Sequence, residues 1–101
     1  MAKLYVLVRN EDLPKSYQAV QAGHAVAQFC IEHPGKWQNE TLIYLRAGDL
    51  NEIFTWWEVL CGYKIKDMSY FQEPDIDHEM TAIAVLSDDF TDSLFKDMRL
   101  V

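Results

Sequence analysis

Positive charge, cysteine, proline and glycine are all scarce in this chain of 101 residues, and each shortage closes off a class of protein. Nine Lys and Arg stand against sixteen Asp and Glu, a formal charge of −7. A broad, sequence-blind grip on nucleic acid is therefore excluded, because phosphate binding draws on cations that displace counterions; any RNA contact must be local, and none to DNA is expected. The two cysteines, Cys30 and Cys61, form no Cys-x-x-Cys motif, and one pair of thiols supplies neither a disulfide framework nor a four-ligand zinc site. Both lie in runs spaced like buried helix faces, so reduced, packed thiols are expected. Three prolines and four glycines rule out a collagen-like or low-complexity chain. The continuous apolar run Leu4 to Val8 near the start of the chain is far too short for a membrane span or a signal segment. A cytoplasmic protein without membrane contact is expected.

What remains is a globular mixture, half apolar and a quarter charged, which excludes disorder for the chain as a whole. Its length suits a single domain over 1–101, and no internal repeat or linker divides it. A chain of about this size buries only about two-thirds of its surface on folding, so a homodimer is an expected source of further burial.

The apolar, β-branched run Leu4-Tyr5-Val6-Leu7-Val8 has the pattern of a central strand covered on both faces. After a polar stretch from Arg9 to Pro14, Ser16 is placed to cap a helix that reaches about Glu32 and stops at His33-Pro34-Gly35. Ala19, Ala22, Gly23 and Val26, extended by Ala27 and Cys30, predict a small-residue face that lies close on a sheet. Thr41 to Leu45 reads as a second strand ending at Arg46. Asp49, with Glu52 three residues on, then opens a helix whose Leu50, Ile53, Phe54, Trp57, Leu60 and Cys61 keep helical spacing to a stop at Gly62. Trp56 falls off that face, as an exposed aromatic contact or a cover for a neighbouring element. Alternation over Tyr63 to Met68 predicts a third strand at an edge, its lysines discouraging unwanted pairing. Met80 to Leu86 reads as the last strand, followed by a short helix or turn from Asp89 to about Phe95. The order β-α-β-α-β-β implies an α/β fold with a mixed sheet.

In such sheets ligands collect beyond the carboxyl ends of the strands, where helix starts favour anions. Arg9 and Lys15 follow the first strand and Arg46 the second, so local basicity can arise there, diluted by Glu11, Asp12 and Asp49. Along the first helix Tyr17, Gln21, His24 and Gln28 form a polar stripe, which is either the solvent side or a functional row containing a proton-handling histidine. The segment from Phe71 to Glu79 holds Glu73, Asp75, Asp77, Glu79 and His78 between two strands. It lacks the glycine and spacing of a calcium loop, which leaves an ordinary polar turn or a water-activating carboxylate.

Lys15-Ser16-Tyr17-Gln18-Ala19-Val20-Gln21-Ala22-Gly23-His24-Ala25, preceded by the strand from Tyr5 to Arg9, resembles the type 2 peptidyl-tRNA hydrolases. Lys15 falls on the first lysine of that family's Lys-Gly-Lys, Gln21 on its glutamine and His24-Ala25 on its His-Ala, while Tyr17 replaces the second lysine. The similarity continues through a tryptophan-bearing second helix to Met80-Thr81-Ala82-Ile83-Ala84-Val85, with Thr81 on the family's threonine. Before that strand the family's Asp-Ala-Gly turn is absent and Glu73-Pro74-Asp75 stands in its place. The resemblance implies a three-layer α/β/α domain on a four-stranded mixed sheet, and hydrolysis of the ester joining a peptidyl or blocked aminoacyl group to tRNA. It implies no cofactor and no metal. Lys15 would hold phosphate or polarise the ester, Glu73 or Asp75 would act on water, Thr81 would bond substrate or water, and Gln21 and His24 would shape the floor. Arg9, Tyr17 and Arg46 would join Gln21 in binding the RNA end. The altered motif leaves a second reading, a catalytically inactive binding module of the same fold that contacts a protein partner.

Overall fold

A computed structural model describes residues 2–101. Its elements run β1 (Lys3–Val8), α1 (Lys15–Glu32), β2 (Thr41–Arg46), α2 (Leu50–Gly62), β3 (Met68–Glu73), a 3-10 turn (Pro74–Ile76), β4 (Glu79–Leu86) and α3 (Asp89–Phe95). The sheet order is β2-β1-β4-β3. β2 is parallel to β1, and β4 is antiparallel to both β1 and β3. Three strands thus point one way and β4 the other, so the ends of β1, β2 and β3 share one edge with the start of β4. That is the mixed sheet the element order predicts, with β1 interior.

The layers follow from alternation along β1. Leu4, Val6 and Val8 join Ala22, Ala25 and Phe29 of α1 and Ala82 and Ala84 of β4 in one core. Tyr5 and Leu7 join Ile53 and Leu60 of α2, Ile83 and Val85 of β4 and Phe95 in the other. With apolar side chains buried on both faces, every position of the run from Leu4 to Val8 contributes to one core or the other. Asp49 caps α2 as expected, its carboxylate accepting the Glu52 amide at 3.0 Å. Asp88 and Thr91 cap α3 reciprocally. No described helix is long and apolar enough to cross a membrane.

Several local expectations are corrected. Pro14, not Ser16, occupies the N-cap of α1, and no side chain caps it. The buried face of α1 is Gln18, Gln21, Ala22, Ala25 and Phe29, whereas Ala19, Gly23, Ala27 and Cys30 face solvent. The helix is rotated from the small-residue register because two glutamines find partners inside: Gln18 donates to the carbonyls of Asn10 and Leu13 at 3.0 and 2.7 Å, and Gln21 is bonded at both ends of its amide. Cys30 and Cys61 are both exposed rather than packed. On α2, Phe54 is exposed while Trp56 packs edge-on against Phe95 at 5.4 Å, so this tryptophan covers a neighbouring helix. The stop of α2 at Gly62 is as expected, with the left-handed conformation taken two residues on by Lys64.

The largest correction concerns β3. Tyr63 to Asp67 is connecting chain, and the edge strand begins only at Met68 and runs through Phe71 and Gln72 to Glu73, the first third of the segment expected to be a turn. Alternation over Tyr63 to Met68 mimics a strand, but Lys64 takes a φ of 59° that no strand accommodates. Lys64 and Lys66 therefore lie beside the edge strand, not within it.

Candidate functional site at the carboxyl edge of the sheet

One irregularity in the sheet positions the site. Phe71 pairs with Ala82, but the next residue, Gln72, pairs with Met80, leaving Thr81 as an extra residue in β4. Such a bulge breaks the strict alternation of faces and re-aims a side chain. Met80 joins the α2 core, and Thr81, which ordinary alternation would also turn that way with Ile83, reaches α1 instead. The Thr81 carbonyl still accepts the Arg9 amide at 3.0 Å, so the bulge is anchored to β1.

From there a buried relay runs outward. The Thr81 hydroxyl donates to Gln21 Oε1 at 2.6 Å, and Gln21 Nε2 donates to Glu73 Oε1 at 2.9 Å. The two bonds fix the amide orientation, since only its NH2 can serve the carboxylate and only its oxygen can serve the hydroxyl. Thr81 and Gln21 are wholly enclosed and Glu73 retains 8% exposure, so the relay ends in a carboxylate at the surface. Glu73 Oε2 accepts the Asp75 amide at 3.3 Å, closing the turn after β3. The Gln21 hydrogen bond comes first, with the Asp75 amide, the Tyr17 hydroxyl and the nearby His24 adding to it, in holding the Glu73 carboxyl below the usual carboxylate range. Burial, and then the Glu73 charge, push the Tyr17 phenol up. His24 lies flat on Phe71, with ring centroids 4.4 Å apart and planes at 9°.

Sequence reasoning therefore named one connected group: Tyr17, Gln21, His24, Glu73 and Thr81. Their depth differs from expectation, because Thr81 and Gln21 lie beneath the surface and act by holding Glu73 rather than by touching a ligand. Asp75 is exposed on the 3-10 turn, and its charge reaches Tyr17. Lys15 and Arg46 line a different open depression of about 510 Å3 with Asn10, Gln18 and Val101, which Tyr17, Gln21, His24, Glu73 and Thr81 do not join, and β1 and β4 lie between the strand of Arg46 and that of Glu73. Gly48 ties the two loops there: its carbonyl accepts the Asn10 and Glu11 amides at 2.9 and 3.2 Å, and its own amide donates to Asn10 Oδ1 at 2.8 Å. With φ at +82°, and with the Glu52 carboxylate where a Cβ would sit, this position requires glycine.

Arg9 does not fit the role of a phosphate contact. It is 6% exposed, and its guanidinium pairs with Asp12 at 2.6 Å and Glu79 at 2.8 Å. It clamps the end of β1 to the start of β4, and its charge is already matched twice. The signal for this was present in the sequence, since Asp12 stands three residues away, whereas Glu79 meets it only through the β1–β4 pairing. The carboxylates of Glu11, Asp49 and Glu52 also approach within 4.8 Å of one another on the α2 side of this edge. The Glu52 charge is the main cause that raises the Glu11 carboxyl, as expected where like charges crowd in solvent.

Comparison with models of known protein families finds no match, and comparison with curated proteins finds none either.

Proposed function

We propose that this protein is an ester hydrolase of the peptidyl-tRNA hydrolase type, which releases a peptidyl or N-blocked aminoacyl group from the end of tRNA. The observation that carries the reading is the Thr81–Gln21–Glu73 relay, which presents one ionised carboxylate at the sheet edge where Lys15 begins α1. It supports Glu73 rather than Asp75 as the carboxylate that acts on water. A carboxyl held below its usual range is a weak base, so its part is to orient a water for attack. His24 stacks flat on Phe71 beside this carboxylate and is one of the groups that help to hold it low. Lys15 and Arg46, exposed along one depression, are the cations available to the phosphates and to the developing oxyanion. The test is release of labelled N-acyl-amino acid from charged tRNA by the purified protein. Activity should fall by at least about 100-fold in Glu73→Gln and in Lys15→Ala; a folded wild-type protein that releases nothing would overturn the reading.

The second reading, a silent binding module of the same fold, is favoured by Tyr17. Where the resembling family carries a second lysine, this phenol stands near enough to Glu73 for each to shift the other's ionisation, and it brings no charge. The same assay separates the two readings, because a binding module predicts no turnover with any charged tRNA.

A further inference from the structure

α2 and α3 cover the Tyr5 face of the sheet, on the opposite side from Gln21 and Glu73. An open groove of about 460 Å3 runs between them. Asn51, Thr55, Val59 and Tyr63 line it at every fourth residue, a single stripe along α2 that extends about 18 Å at the helical rise. Half-buried Trp56 and Leu94 complete its apolar lining. Tyr63 packs edge-on against Phe90 at 4.9 Å and so joins the two helices at one end. Val59, Tyr63 and Phe90 are nevertheless 38%, 55% and 44% exposed, three large side chains on neighbouring helices that no described element covers.

The charge around the groove is of one sign. Residues 49–62 and 88–97, which span α2, α3 and the residues that flank them, hold seven carboxylates and one cation, Lys96, and so carry −6 of the chain's −7. Lys3 matches one of these carboxylates, Asp92, at 3.7 Å. Glu52 is the charged residue of the lining itself, and its carboxylate already raises that of Glu11. Arg46 and Arg99 line the adjoining depression, together with Glu11, Glu52 and Asp97, and do not join the lining of the groove.

We infer that the groove between α2 and α3 is the docking site for a basic amphipathic helix of a partner protein. Apolar side chains spaced i, i+4 and i+7 on one face of such a helix would meet Trp56, Val59 and Leu94 over about three turns, and the lysines and arginines flanking them would face the acidic rim. The same charge repels nucleic acid and anionic membranes. A second copy offers no suitable helix either, since α1 carries one cation and one carboxylate and α2 and α3 are acidic. The inference rests on neither reading of the Glu73 group, which lies across the sheet, so it and the hydrolase proposal fail separately.

Titration of the full chain with a designed peptide, followed by NMR of the amides, tests the groove. The probe is a helical peptide of about five turns with leucine on one face and lysine on the other. Its controls are the same residues in scrambled order and the same pattern with glutamate for lysine. The leucine–lysine helix should bind at least about tenfold more tightly than either control, shifting the amides of Val59, Tyr63 and Leu94. Thr55→Arg, at an exposed position in the middle of the stripe, should weaken binding at least about tenfold by filling the groove and repelling the probe. Glu52→Gln should weaken it by a smaller factor that salt diminishes, and it carries the test if Thr55→Arg disturbs folding. Binding no tighter than that of the controls overturns the inference, as does binding that both variants leave unchanged or shifts that fall outside the groove. So do shifts of Val59 and Leu94 that follow the concentration of the protein alone, which would make the occupant a second copy.

Discussion

Replacing Gln21 with leucine keeps the volume of a fully buried side chain but removes both bonds of its amide. The Thr81 hydroxyl, itself fully enclosed, then has no acceptor, and an orphaned buried polar group costs about 1–3 kcal/mol. For a domain of this length that corresponds to a fall in Tm of roughly 4 to 20 °C. Thr81→Val is the mirror case, leaving Gln21 Oε1 without its donor at a cost of about 1–2 kcal/mol. The informative protein is the double variant. With both polar partners gone, a leucine and a valine meet across the α1–β4 contact, and the double should be no less stable than the worse single. The cycle should thus show a coupling of about 1 kcal/mol or more in the favourable direction, read from thermal or urea unfolding of the four proteins. Simple additivity, within about 0.5 kcal/mol, would mean that the Thr81–Gln21 bond does not hold the bulge to the helix, and the account of how Glu73 is placed would fail with it.

The same relay sets an acid response. Because the Glu73 carboxyl is held below its ordinary value, its contribution is complete above the unfolded value of about pH 4.3 and is lost as pH falls through the lower folded value. The stability difference between wild type and Gln21→Leu should therefore be largest at neutral pH and narrow below about pH 4; a gap that stays constant down to pH 2 would contradict the assignment. Arg9→Met should destabilise the fold by about 1–3 kcal/mol, less than loss of a fully buried pair because Asp12 and Glu79 keep 39% and 35% of their side chains in water, and should leave the salt dependence of tRNA binding unchanged. With Arg9 occupied, Lys15 and Arg46 predict a slope of log affinity against log salt of about −1.4 to −1.8, and Lys15→Ala should halve it in a filter-binding titration. Asp49→Ala should cost about 1 kcal/mol in unfolding experiments through loss of the cap on α2, with no effect on tRNA binding.

Legibility in the sequence tracked the kind of force involved. β1, β4 and the start of α2 were readable because a continuous apolar run, a second such run and an Asp-x-x-Glu start each have one dominant physical interpretation. The face of α1 was not, because burial there depends on Gln18 and Gln21 finding partners on other elements, which hydropathy ignores. β3 was displaced because alternation over Tyr63 to Met68 imitates a strand, and nothing local reveals that Lys64 takes a left-handed conformation. Gln21, His24, Glu73 and Thr81 were named as residues, but the bulge that brings Thr81 to Gln21 lies in the pairing of two strands and is invisible in either alone. Arg9 shows the converse: an exposed-looking cation became structural once Glu79, distant in sequence, was placed beside it.

The central position of β1 also dictates the order in which the chain can become a protein. Its neighbour on one side, β2, is available early, but its other neighbour, β4, begins only at Glu79, and the far ends of the two meet where the Ser87 amide donates to the Lys3 carbonyl at 2.9 Å. A nascent chain that has made β1, α1 and β2 therefore carries an apolar strand whose second face waits for α2 and whose other side stays unpaired until residues 79–86 arrive. Closing so long a loop is slow, and until it closes the intermediate is the species most exposed to aggregation. Synthesis of the last strand, rather than of any helix, is the event that commits this sheet to its native order.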